Sequence, residues 1–117
     1  MKMSKGFLGA VLLSLAAIAQ AHTHLKEAAP AEGSTVKAAP ESITLTFSEP
    51  ARLTALTIQK EGGDEQKVTP LPTMAAAKVS LPAPKLAPGK YIVNWHVVSE
   101  DNHIMSGKLH FTVAGGA

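Results

Sequence analysis

Asp101 and His103 stand one residue apart in Ser99 to Gly107, a stretch that joins two strand-like segments. In extended backbone, residues i and i+2 point to the same side, so the pair can offer one oxygen and one nitrogen to a single ion. A second set of donors is expected at His22. Met1 to Ala21 reads as a secretory signal: Lys2 and Lys5 make a basic start, Phe7 to Ile18 is apolar, and Ala19-Gln20-Ala21 fits the small-x-small rule for cleavage. Cleavage there exposes the α-amine of His22, whose ordinary pKa of about 7.7 to 8.0 lies well below that of a lysine. Amine and imidazole on one residue form a chelate. Together with Asp101 and His103 they make three nitrogens and one oxygen, which suits tetragonal divalent copper, near the head of the first-row affinity order. Each part has a plainer reading: His22 as whatever follows a cleavage site, Asp101 and His103 as a polar loop tip.

Other candidates are weaker. His24, third from the expected terminus, could bind copper through the amine, two ionised backbone amides and its imidazole, but a strand starting at Leu25 resists the floppy terminus this needs. Glu49 closes the run Leu45-Thr46-Phe47-Ser48-Glu49-Pro50 at an expected strand end. It is either a solvated carboxylate or an oxygen donor, direct or through an outer contact, to a nearby metal. If Val98 pairs with Lys108, His96 falls opposite His110 on an outer face. Met74 is expected to pack a loop, and Met105 to pack under the Asp101–His103 connection rather than act as a soft ligand.

Composition narrows the partners. The chain has 11 Lys and Arg against 9 Asp and Glu, and Lys2 and Lys5 account for the excess, so the processed chain is near neutral and a poor candidate for nucleic acid. The sequence has no cysteine, so thiolate sites and disulfides are excluded and any metal is held by nitrogen, oxygen or thioether. The apolar run of the signal is too short to span a bilayer. Residues 22–117 suffice for one small domain, expected to be an exported monomer.

The elements that position these donors read as strands. Tyr91, Val93, Trp95 and Val97 alternate with Ile92, Asn94, His96 and Val98, and the alternation returns from Lys108 with Leu109, Phe111 and Val113 on one face. Ile43 to Phe47 alternates with its threonines outward and is expected to end at Ser48-Glu49-Pro50; Leu53 to Lys60, Gln66 to Thr69 and Ala77 to Leu81 follow. Pro88-Gly89 is expected to form a type II turn that launches Tyr91. About seven short strands with frequent turn signals predict an all-β, immunoglobulin-like Greek-key sandwich or barrel.

The chain resembles the periplasmic copper-resistance proteins of the CopC type. The residues that carry the resemblance are His22 and Leu25, Pro30-Ala31-Glu32-Gly33, Leu45 to Pro50, Pro88-Gly89-Lys90-Tyr91, and Asn94 to Ser99 running into Asp101-Asn102-His103 and Ser106-Gly107. The resemblance implies a β-barrel or sandwich that binds one cupric ion, Cu(II), through His22, Asp101, His103 and, in some members, Glu49. It also implies a non-catalytic carrier or buffer that exchanges copper with a separate inner-membrane transport protein. Members with a methionine-rich loop also bind cuprous copper; here only Met74 lies in that region, so no such site is expected. Two other classes are a metal-free immunoglobulin-like interaction module and a copper-dependent oxidative enzyme. The enzyme reading needs an aromatic substrate face, whereas Tyr91 and Trp95 fall on the core side.

Overall fold

The computed structural model describes residues 24–115, and the regular structure in them is all strand. In chain order the strands are β1 (Leu25–Ala29), β2 (Ser34–Val36), β3 (Ser42–Lys60), β4 (Glu65–Lys67), β5 (Ala76–Pro82), β6 (Gly89–Ser99) and β7 (Ile104–Val113). They form one curled sheet in the order β1-β3-β6-β7-β2, with β4 and β5 also paired to β3. The number of strands is the one expected, although Ile43–Phe47 and Leu53–Lys60 are joined in β3 and β2 is a strand that the sequence did not indicate.

β3 organises the molecule. Its first part, Ser42 to Phe47, lies between β1 and β5, while Ala51 to Lys60 pairs with β6 and, over Thr57 to Gln59, with β4. The expected stop at Ser48-Glu49-Pro50 is therefore wrong: the strand runs through it. Pro50 is tolerated because it falls where the β5 ladder is interrupted, between Thr46 and Ala51, so its missing N–H costs no ladder bond. Farther along, the inward parity changes: Ile43, Leu45, Phe47, Ala51 and Leu53 are buried, then Leu56 and Ile58. The change occurs at Thr54, where the ladder passes from Leu53 opposite Val97 to Ala55 opposite His96. One extra residue is bulged out and the face is reset.

The two parts of β3 close over a single core. Phe47 from the first meets Trp95 of β6 edge to face, ring centroids 5.3 Å apart, and Tyr91 stacks on Phe111 at 5.6 Å. The Tyr91 hydroxyl donates to the Ala87 carbonyl, so its burial leaves no unmade bond. Tyr91, Val93, Trp95 and Val97 all point inward, as do Leu109, Phe111 and Val113. Gly89 has a positive φ of 150°, which favours glycine but differs from the value near +80° that a type II turn requires.

Trp95 pairs with Gly107, and a Cβ at Gly107 would lie 2.4 Å from Trp95 Cζ2. The indole is a rigid wall in a packed core. Gly107→Ala is therefore expected to destabilise the fold by about 1 to 3 kcal/mol, as overpacking does, read as a lower urea midpoint at unchanged slope.

The β6–β7 hairpin is tighter than its sequence suggests. Val98 pairs with Ile104, leaving Glu100 to His103 as the connection rather than Ser99 to Gly107. The Ser99 N–H donates to His103 O (2.9 Å) and the Asn102 N–H to Ser99 O (2.9 Å), with Asn102 in the left-handed region at φ 67°. This is a three-residue hairpin loop of the bulged kind, whose left-handed position asparagine tolerates. The register also places His96 opposite Ser106 and His110 opposite Ile92, so the His96–His110 juxtaposition that a Val98–Lys108 register would give does not form.

Candidate metal centre

The tight connection fixes the two central donors. Strand alternation carries Ser99 inward after Val97, and it is 7% exposed, the buried polar side chain among the described residues. Its hydroxyl donates to Asp101 Oδ1 and accepts the His103 backbone N–H at 3.1 Å. The other Asp101 oxygen, Oδ2, lies 3.2 Å from His103 Nδ1, with both side chains more than half exposed. The Ser99 hydrogen bond, reinforced by the His103 charge, holds the Asp101 carboxyl below the usual carboxylate range. The rim therefore presents a fixed, ionised oxygen next to an imidazole nitrogen. Two donors about 2.0 to 2.2 Å from one ion and at right angles are about 2.8 to 3.0 Å apart. The observed 3.2 Å is within a few tenths of that.

The start of the described chain lies at this same rim. The His24 N–H donates to Ser48 Oγ (2.9 Å) and the Ser48 N–H donates to His24 O (2.8 Å). Three residues on, Ala51 pairs with Ser99, so the strand segment Ser48–Ala51 links the chain start to the Asp101–His103 turn over roughly 10 Å. Glu49 lies exposed on that segment. Among the described residues, no three His, Asp or Glu side chains converge at metal-binding distance; the structure brings together Asp101 and His103 but adds neither Glu49 nor His24 to them. His22 and the expected signal lie outside the described residues.

A family model described as the CopC domain matches residues 25–114. The chain belongs to the CopC family. It is 35% identical over 121 residues to copper resistance protein C of Escherichia coli, covering 90% of this chain and 91% of that protein. It is 37% identical over 98 residues to Protein YobA of E. coli K12, covering 80% and 79%. The crystal structure of CopC from Methylosinus trichosporium OB3b superposes with a TM-score of 0.70 at 31% identity, over 82% of this chain and 97% of that one. PcoC from E. coli, a methionine-rich copper resistance protein, superposes at 0.58 with 35% identity, over 80% and 99%. Membership sets the chain among copper resistance proteins and not among enzymes.

Unlike methionine-rich PcoC, this CopC chain has four methionines in all, of which Met74 and Met105 are described. Met74 does not pack its loop as expected: it is 76% exposed. Met105 is half-buried against the core, in the packing role expected of it. His110 is engaged elsewhere, its N–H donating to Glu32 Oε1 (2.9 Å) and its Nδ1 lying 3.3 Å from Glu32 Oε2. That N–H, more than the imidazole, holds the Glu32 carboxyl below its usual range. Ser99 was missed in the sequence, although strand alternation alone, which puts it on the core face behind four apolar residues, marks it as a polar side chain in need of partners.

Proposed function

We propose that this CopC protein is exported to the periplasm, trimmed before His22, and there carries or buffers one cupric ion. The donors are the amine and imidazole of His22, an Asp101 oxygen and a His103 nitrogen, and residues 22–117 form the working domain. The observation that carries the reading is the Asp101 Oδ2–His103 Nδ1 separation of 3.2 Å on a rim that the chain start adjoins. Cupric ion replaces the proton shared between those atoms, and the amine chelate of His22 completes a tetragonal set. The names of the relatives support copper as the ion: E. coli copper resistance protein C and PcoC are both copper resistance proteins. As a monomeric carrier the protein exchanges its ion with a separate inner-membrane copper transport protein. Glu49, exposed on the adjoining strand, is an outer contact rather than a required donor.

The test is electron paramagnetic resonance of the processed chain with one equivalent of cupric ion. A tetragonal spectrum with nitrogen couplings, altered by replacing Asp101 or His103, is expected; processed protein that ignores cupric salts sinks the reading. The pH dependence follows from the protons that binding displaces. Asp101 stays ionised below the ordinary carboxylate range, so the competing protons are those on the nitrogen donors. Affinity is expected to be highest above about pH 7 and to fall steadily toward about pH 5. Quenching of the single tryptophan by cupric ion gives the titration, and a flat profile over that window counts against nitrogen ligation.

A further inference from the structure

We propose that Ser99 is a positioning residue of the metal centre, its hydroxyl setting the Asp101 carboxylate at the angle from which it and His103 take the same ion. The inference rests on the copper reading above and adds a group that touches no metal. Tyr91, Val93, Trp95, Val97 and Ser99 share the inward face of β6, and Ser99 is the polar member of that row. A buried hydroxyl is tolerated when its bonds are made, and this one is used in both directions. It donates to Asp101 Oδ1 and accepts the His103 N–H at 3.1 Å, so one atom ties together the two residues that supply donors.

The tie has a directional consequence. Asp101 is more than half exposed, and an exposed aspartate ordinarily samples several rotamers. With Oδ1 fastened to Ser99, Oδ2 is left facing His103 Nδ1 at 3.2 Å. Binding then orders less of the side chain, which raises affinity without a new contact. Alanine at 99 preserves the hairpin's backbone bonds, Ser99 N–H to His103 O and Asn102 N–H to Ser99 O, and removes only the hydroxyl. Threonine retains it.

Processed protein carrying Ser99→Ala, Ser99→Thr, Asp101→Ala or the Ser99→Ala/Asp101→Ala pair is titrated with cupric ion and examined by electron paramagnetic resonance. Ser99→Ala is expected to lose about 10- to 100-fold in affinity, the range typical of a partner that orients a ligand, with changed copper hyperfine values. Ser99→Thr is expected to restore both. In the Asp101→Ala background the further loss from Ser99→Ala is expected to vanish, because Ser99 acts through that carboxylate. Wild-type affinity and spectrum in Ser99→Ala overturn the proposal, as do losses that simply multiply in the double variant; wild type binding normally in those experiments leaves the copper reading intact. Wild type that ignores cupric ion ends both. A metal-free measurement is independent of how well Ser99→Ala folds: the Asp101 β-proton couplings in wild type should report one rotamer, and averaged couplings overturn the proposal.

Discussion

One extra residue ahead of His22, or a retained signal, is expected to lower cupric affinity by on the order of 100- to 10,000-fold, the gain that linking two donor groups on one framework typically supplies. The α-amine becomes a peptide nitrogen, whose lone pair is delocalised into the carbonyl and which binds only after losing a proton. The chelate is thereby reduced to a lone imidazole. His24→Ala, by contrast, should change little. The binding mode that would use His24 requires its backbone nitrogen to be ionised and metal-bound, yet that N–H is donated to Ser48 Oγ at 2.9 Å, and the His24 carbonyl accepts from Ser48 as well. Competition against a chelator of known affinity, run on processed protein and on protein with one added N-terminal glycine, decides the matter. Equal affinity for the two preparations removes His22 from the ligand set, whereas a loss on adding glycine accompanied by a large loss in His24→Ala points to the mode that uses the amine, two ionised amides and the His24 imidazole.

What could be read from the chain before its structure follows from which forces are local. The inward row Tyr91, Val93, Trp95, Val97 and its partner Leu109, Phe111, Val113 were legible because alternation is a property of a single strand. The register between them was not. It is set by the turn, and the turn depends on Asn102 entering the left-handed region and on Ser99 bonding His103, neither of which periodicity encodes. The result is a three-residue loop closed by the Ser99–His103 bond where a nine-residue connection was expected, with His96 facing Ser106 and not His110. β3 misled in the opposite direction. Pro50 reads as a stop because it lacks an N–H, but the two ladders that flank β3 change hands there, so the missing donor is not needed. Asp101 and His103 could be paired from their i, i+2 spacing, although the turn, not extended backbone, is what brings them together. Ser99 escaped notice because its importance lies in what a buried hydroxyl can reach.

Among the described residues two carboxylate–imidazole pairs have almost identical separation, and replacing their histidines separates them. Asp101 Oδ2 lies 3.2 Å from His103 Nδ1 and Glu32 Oε2 lies 3.3 Å from His110 Nδ1, so distance alone does not choose between them. Their backbones do. Glu32 Oε1 accepts the His110 N–H at 2.9 Å, and the Gly33 N–H donates to His110 O at 2.7 Å, so that pair clasps the β1–β2 connection to β7 where β2 begins its parallel ladder. A metal drawing Glu32 away would unmake the clasp. Asp101, tied to Ser99 within its own turn, gives up no link between strands on binding. His103→Ala is therefore expected to cost at least about 100-fold in cupric affinity, beyond the range for losing an outer partner, and to remove a nitrogen coupling from the resonance spectrum while leaving the urea midpoint near wild type. His110→Ala should leave copper affinity unchanged, and because the His110 N–H that Glu32 accepts is retained and the lost imidazole pair is exposed, the midpoint should move little as well. If His110→Ala abolishes binding and His103→Ala does not, the ion sits at the Glu32 clasp and the Asp101 turn is scaffolding.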